Sequence, residues 1–201
     1  MALNLPNSEL QKITAAAVKQ PAFIKSAKST IKKEFLEIQK EFLDAFDNHP
    51  VTQEIAAGPS ATNISKTLSG VGNLFTYIGF SIGENPIRPL RKVLEKYEIN
   101  FHPRKNFLMA RIELPTKQEV FAVTPMPWAT GRSWARGIER GISGLGKYLV
   151  KDTRVAKSKS GFAIQAKSKV RNGKFSNVPY LSTLLNDYYK KINNLERKAF
   201  S

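Results

Sequence analysis

The segment Gly141 to Tyr148 reads GISGLGKY, one residue away from the phosphate-cradling pattern G-x-x-x-x-G-K-[ST]. The departure removes the function. Tyr148 stands where a small hydroxyl should bind magnesium, and a helical pattern rather than an apolar strand precedes the glycines. No aspartate at the end of a later apolar strand supplies the second magnesium partner. The two histidines fare no better as catalysts. His49 is expected at a helix C-terminus, where an imidazolium interacts favourably with the dipole, and His102 precedes Pro103 in a turn. Neither has metal-like spacing, and no G-x-S-x-G elbow accompanies them. Glu34, Glu37, Glu41 and Asp44 interleave with lysines and read as the solvated face of a helix, with no second acidic cluster to pair with. Cysteine is absent, which excludes disulfides, thiolate metal sites and cysteine nucleophiles. The sequence therefore predicts a protein that is not an enzyme and carries no cofactor and no metal.

Cations are the remaining chemistry. The protein carries a net charge of +16, unevenly spread. Residues 1–57 hold 7 Lys+Arg against 7 Asp+Glu, residues 58–127 hold 9 against 5, and residues 128–201 hold 16 against 4. A one-sided basic field attracts polyanions without choosing between nucleic acid, acidic protein and anionic lipid. Arg136 and Arg140 flank the glycines of the central stretch. Lys157, Lys159, Lys167, Lys169, Arg171 and Lys174 surround Phe162 and Phe175, as in a phosphate-tracking hairpin. The competing reading is a solubilising edge, because lysines on a hairpin also prevent edge-to-edge pairing. Sequence-specific recognition lacks a helix-turn-helix glycine, zinc spacing and an RNP-like aromatic motif.

These residues need elements to hold them. A hydrophobic content of 41% over 201 residues predicts a folded body, with 1–57 as an N-terminal helical segment and 58–201 as an α+β body in one compact domain. No basic region followed by an apolar core opens the chain and no long apolar run occurs, so a soluble protein, intracellular when made, is expected. Ser8 and Gln11 resemble a capping box, with Leu10, Ile13 and Ala17 as a stripe. From about Pro21 to Asp47, Ile24, Ala27, Ile31, Phe35, Ile38, Phe42 and Ala45 recur at threes and fours. That predicts a two-faced helix of roughly 40 Å, stopped by Asn48-His49-Pro50. Its seam can meet the same chain or a neighbour.

Residues 50–72 read as a structured loop, with one helical turn around Ile64 to Leu68. NLFTYIGFSIG reads as a strand, and Asn85-Pro86 opens a short helix on Ile87, Leu90, Leu94 and Tyr97. Asn106–Leu114 and Glu119–Val123 alternate as a hairpin, with Ile99–Phe101 as a third short strand. Trp128 to Leu149 reads as one helix. Trp134, Ile138, Ile142, Leu145 and Leu149 share its apolar face, and Gly137, Gly141 and Gly144 form a bare strip. Three interior glycines cost about 3 kcal/mol relative to alanine, which implies a close neighbour. Lys151 to Lys174 is expected to form a basic β-hairpin turning at Asn172-Gly173. Pro179 opens a last helix with Leu181, Leu184, Leu185, Tyr188, Ile192 and Leu195 inward. The fold class is α+β: a long N-terminal amphipathic helix, a small mostly antiparallel sheet with a basic hairpin, and glycine-rich and C-terminal helices packed on it.

Three segments carry a resemblance. They are the amphipathic helix ending in FDNHPV, the small-residue loop ATNISKTLSGVGNLFTYIGF, and the closing NVPYLSTLLNDYYKKI. Together they resemble the small structural proteins of the tailed-bacteriophage neck and tail, in the tail-completion or head-tail joining group. The resemblance implies a non-enzymatic virion subunit that forms a homo-oligomeric ring, often a hexamer, among neighbouring neck and tail proteins. It implies location in the virion, and in the host cytoplasm during assembly, with possible non-specific DNA contact and no membrane. Under it, Ile31, Phe35, Ile38, Phe42, Trp134, Gly137, Gly141 and Gly144 pack subunits together. Arg136, Arg140 and the cations of residues 157–174 reach a partner or passing DNA. The alternative is a basic nucleic-acid-binding module that uses the 151–175 hairpin.

Overall fold

The computed structural model describes residues 9, 12, 15–68, 72–104, 107–127, 129–140, 148–150, 164–166 and 178–198. Its class is α+β, and the strands form antiparallel pairs. Two compact units arise. One comprises Met1–Glu41, Tyr97–Leu114 and Asp187–Ser201, and the other Phe42–Lys96 and Pro115–Asn186. The unit boundaries at 41 and 186 fall inside continuous helices, where no linker composition marks them.

Residues 15–17 are helical, and Pro21 opens helix α1 (Pro21–Asp47), with the bounds its periodicity predicts. In the first unit Ile31 and Phe35 of α1 are buried, with Phe35 against Tyr97 at 4.6 Å between ring centroids. The hairpin of strands β1 (Glu98–Pro103) and β2 (Leu108–Glu113) belongs to the same unit, in register from Glu98 opposite Glu113 to Pro103 opposite Leu108. The facing carboxylates are offset locally. Asn100 Nδ2 donates to Glu98 at 3.0 Å, and Arg111 pairs with Glu113 at 3.3 Å. The expected hairpin partner, Glu119–Val123, is not a strand. Thr116 and Glu119 form a reciprocal capping box that opens helix α5 (Lys117–Ala122), and these bonds hold the Glu119 carboxyl below its ordinary value.

The second unit begins with the last turns of α1, where Phe42 and Phe46 are buried and Ala45 is exposed. Pro50 stops α1 and at the same time starts helix α2 (Pro50–Ala56), where a loop was expected. Its fixed φ suits the first helical position, and His49 caps the helix by accepting the Val51 N–H at 3.2 Å. His49 thus serves a helix N-terminus, contrary to the expected imidazolium at a C-terminus. A 3-10 turn, Gly58–Ser60, follows, and the expected helical turn at Ile64 to Leu68 is a pair of turns.

NLFTYIGF is not a strand. Asn73 accepts the Thr76 N–H at 2.9 Å to start helix α3 (Leu74–Ile78). Gly79, at φ 89°, closes it while the Phe80 N–H reaches back to Phe75 C=O at 3.2 Å. All five helical residues are buried, so no polar face reveals the helical period. Helix α4 (Ile87–Leu94) buries Ile87, Leu90 and Leu94, with Asn85 Oδ1 accepting the Arg88 N–H and Tyr97 left exposed.

The expected single helix from Trp128 to Leu149 is broken into different elements. Strand β3 (Pro125–Met126) pairs with strand β4 (Ala129–Ser133), in which Gly131 has φ 73°. Helix α6 (Trp134–Glu139) starts only after Ser133, whose hydroxyl accepts the Arg136 N–H. Strand β5 (Tyr148–Val150) pairs with strand β6 (Ile164–Ala166), so Leu149 is in a strand. The Asn172-Gly173 turn lies outside the described residues. Helix α7 (Leu181–Lys198) closes the chain, with Leu181, Leu185, Tyr188, Ile192 and Leu195 buried and Leu184 half-buried.

Candidate anion-binding cleft

Two polar constellations lie in the second unit, and they are built oppositely. The first surrounds α2. Glu54 has no exposed surface, and its carboxylate accepts four N–H contacts. These come from Leu74 N at 2.7 Å, Ser65 N at 2.8 Å, and Asn63 Nδ2 at 3.0 and 3.2 Å to the two oxygens. Leu74 is the first residue of α3, so the buried charge also meets the positive end of that helix. Asn63 Oδ1 accepts the Leu68 N–H, and Asn73 Nδ2 donates to Pro59 and Ala61 carbonyls. On the other side of α2, Thr52 Oγ1 and Tyr180 Oη lie 2.7 Å apart, with the Tyr180 ring 4.8 Å from His49 and 6.3 Å from Phe46. Burial pushes the Tyr180 hydroxyl far up. Burial also lowers the His49 pKa, partly offset by its bond to the Pro179 carbonyl. This constellation is satisfied internally. Its hydrogen bonds tie α2 to the start of α3, to the 63–65 turn and to Tyr180.

The second constellation is a cleft of about 630 Å³ lined by α5, β3, β4 and α6. Its floor is apolar: Phe121 and Ala122 from α5, and Pro125 and Met126 from β3. Gly137 adds no side chain to the wall. Above the floor stand three exposed arginines, Arg132 on β4, Arg136 in the first turn of α6 and Arg140 just after it. The local hydrogen bonds explain why the cations stand there. The Thr124 hydroxyl donates to Phe121 C=O at 2.9 Å, which makes Ser133 the donor in the 2.6 Å Thr124–Ser133 contact. Ser133 in turn accepts the Arg136 N–H at 3.1 Å, and Trp134 N donates to Thr124 C=O at 2.8 Å. Trp134, 1% exposed, anchors the start of α6 in the core. The other end of α6 is tied by Glu139, which accepts from both the N–H and the hydroxyl of Ser182 in the first turn of α7. Arg136 thus lies on a clamped helix, its guanidinium 4.8 Å from the centre of the Phe121 ring.

Among the described residues the lining contains no acid and none of the three arginines forms an ion pair. Arg91 and Arg111 elsewhere do, Arg91 with Asp47 and Glu95 and Arg111 with Glu113. Guanidinium groups offer a planar fork suited to oxyanions, and three of them line one cavity without an acid among the described residues.

The residues singled out by sequence are therefore placed apart. Arg136 and Arg140 come together in the cleft, with Gly137 in its wall. Ile31 and Phe35 are covered within the first unit, Phe42 and Trp134 within the second, and Ile38 is half-buried. The side chains of Ile31, Phe35, Phe42 and Trp134 are buried within the single chain, and Ile38 keeps part of its surface exposed. Gly141, Gly144, Lys157, Lys159, Lys167, Lys169, Arg171 and Lys174 lie outside the described residues. Sequence reasoning passed over Arg132, although Arg132, Arg136 and Arg140 recur every fourth residue, and passed over Glu54, whose partners are 9 to 20 residues away. Among the described residues no group of three or more His, Asp or Glu could hold a metal ion, and no helix is long and apolar enough to cross a membrane. No protein-family model, curated protein or solved structure matches the chain.

Proposed function

We propose that this protein is a non-enzymatic structural subunit of a tailed-phage virion, forming an oligomeric ring at the neck or tail junction. One observation carries the reading: the segments on which the resemblance rests form one interlocked cluster. FDNHPV leads into α2, NVPY contributes Tyr180 to Thr52 and His49, and the ATNISKTLSGVGNLF loop is tied to Glu54. Parts of all three segments thus meet within the second unit.

Contacts between copies then fall to exposed side chains, since a buried residue has no surface left to give a neighbour. In the second unit Ile64 and Ile82 are 46% and 66% exposed. Ile82→Asp is expected to weaken ring formation by native mass spectrometry, with stability changed by no more than about 0.5 kcal/mol. Imaging of the native particle tests the whole reading. A ring at the head-tail junction that labels with antibody to this chain is the expected outcome, and isolation only as a nucleic-acid complex, without virion or ring, would overturn it.

A further inference from the structure

We infer that the Arg132–Arg136–Arg140 cleft binds single-stranded nucleic acid, with phosphates on the guanidiniums and a base against the apolar floor. The inference goes beyond the ring reading and stands or falls separately from it.

The two parts of the cleft ask for different chemistry from one ligand. Three arginines with no carboxylate among the described lining residues call for repeated oxyanions. Arg136 and Arg140 are four residues apart, one helical turn or about 6 Å, which is comparable with the step between successive phosphates of a strand. The apolar lining, with Ala122 and Pro125 exposed and Phe121 and Met126 keeping only a small exposed edge, calls instead for a flat apolar face. A single strand supplies both, since its charges repeat along the backbone and its bases are free to turn inward. A duplex keeps its bases stacked inside and would leave the floor uncovered. The Arg136 guanidinium lies 4.8 Å from the centre of the Phe121 ring, and a guanidinium plane is a surface on which a base can stack. The cavity, about 630 Å³, lies within the range of pockets that take small-molecule ligands. The net charge of +16 favours a polyanion in general, and the floor selects among polyanions.

The full chain, labelled at its methionine methyl groups, provides the test. Met126 lies in the cleft and Met109 on β2 in the other unit, so one reports occupancy and the other serves as a reference. A short thymidine oligonucleotide is expected to shift the Met126 methyl resonance and leave Met109 in place. The triple variant Arg132→Gln, Arg136→Gln, Arg140→Gln should lose that shift. Its slope of log affinity against log salt should be shallower by about 2, at roughly 0.7 per phosphate contact. Arg136→Lys, which keeps the charge and removes the planar fork, should retain most of the slope and weaken the Met126 shift. Binding that leaves Met126 unmoved, or that the triple variant retains in full, would overturn the inference. So would a poly-glutamate peptide or a duplex of equal length that occupies the cleft as tightly as the strand.

Discussion

The Glu54 cluster and the arginine cleft lie in the same unit and are both rich in charge and hydrogen-bonding groups. They differ in where the partners are. Glu54 is fully buried and its oxygens are met by N–H groups of its own chain. Arg132, Arg136 and Arg140 are exposed and, among the described residues, meet no acid. A buried charge stays only if the fold satisfies it, because desolvation without partners costs several kcal/mol. An exposed charge is satisfied by water and remains available for exchange with a ligand. The first arrangement therefore serves stability and the second leaves its charges free for the ligand proposed above, and substitutions in the two should separate those properties.

The largest effect should come from Glu54→Ala, which strands the Leu74 and Ser65 N–H groups and removes the carboxylate from Asn63. A loss of about 3 kcal/mol or more is expected in urea unfolding, and a change within 0.5 kcal/mol would mean that water replaces the carboxylate at little cost. Tyr180→Phe removes one partner of buried Thr52 and should cost about 1 to 2 kcal/mol by the same measurement.

His49 adds a pH dependence of smaller size. Its folded pKa lies below the ordinary 6.5, so the unfolded chain takes up the proton first. The contribution is fully present above about pH 6.5 and is lost as pH falls through the folded value. Melting temperatures between about pH 7.5 and about pH 5.5 should decline more steeply in the wild type than in His49→Asn, which keeps a capping acceptor and does not titrate. Parallel slopes would show that the imidazole is not the group responsible. The smallest stability effect, within about 0.5 kcal/mol, belongs to Arg140→Ala in the cleft. A large loss there would place that arginine with the fold-holding groups and erase the contrast.

The helices with one wet face were readable residue by residue. α1 has the expected bounds and α7 buries nearly all of its expected stripe, since a two-faced helix prints its period on the sequence. α3 was misread because a helix buried all round prints none, and its aromatic and β-branched residues suggest a strand. α5 was misread although its capping box Thr116-x-x-Glu119 was in view, since Val120, Phe121 and Val123 mimic a strand edge. Of the cleft, Arg136 and Arg140 were found from charge alone. Arg132 and the floor were not, because the stretch read as one helix is a strand, a cap and a short helix.

By itself the sequence determined the α+β class, the two long amphipathic helices and the basic imbalance, all of which follow from local period and composition. Only the tertiary structure decided that Glu54 is a buried anchor, that Ile31, Phe35 and Phe42 of the α1 seam are buried within the chain, and that three arginines share one cavity. The reason is distance along the chain. Hydrogen-bond satisfaction and cavity formation join residues that no local period connects, and whether a charge holds the fold or faces a partner depends on what the rest of the chain brings to it.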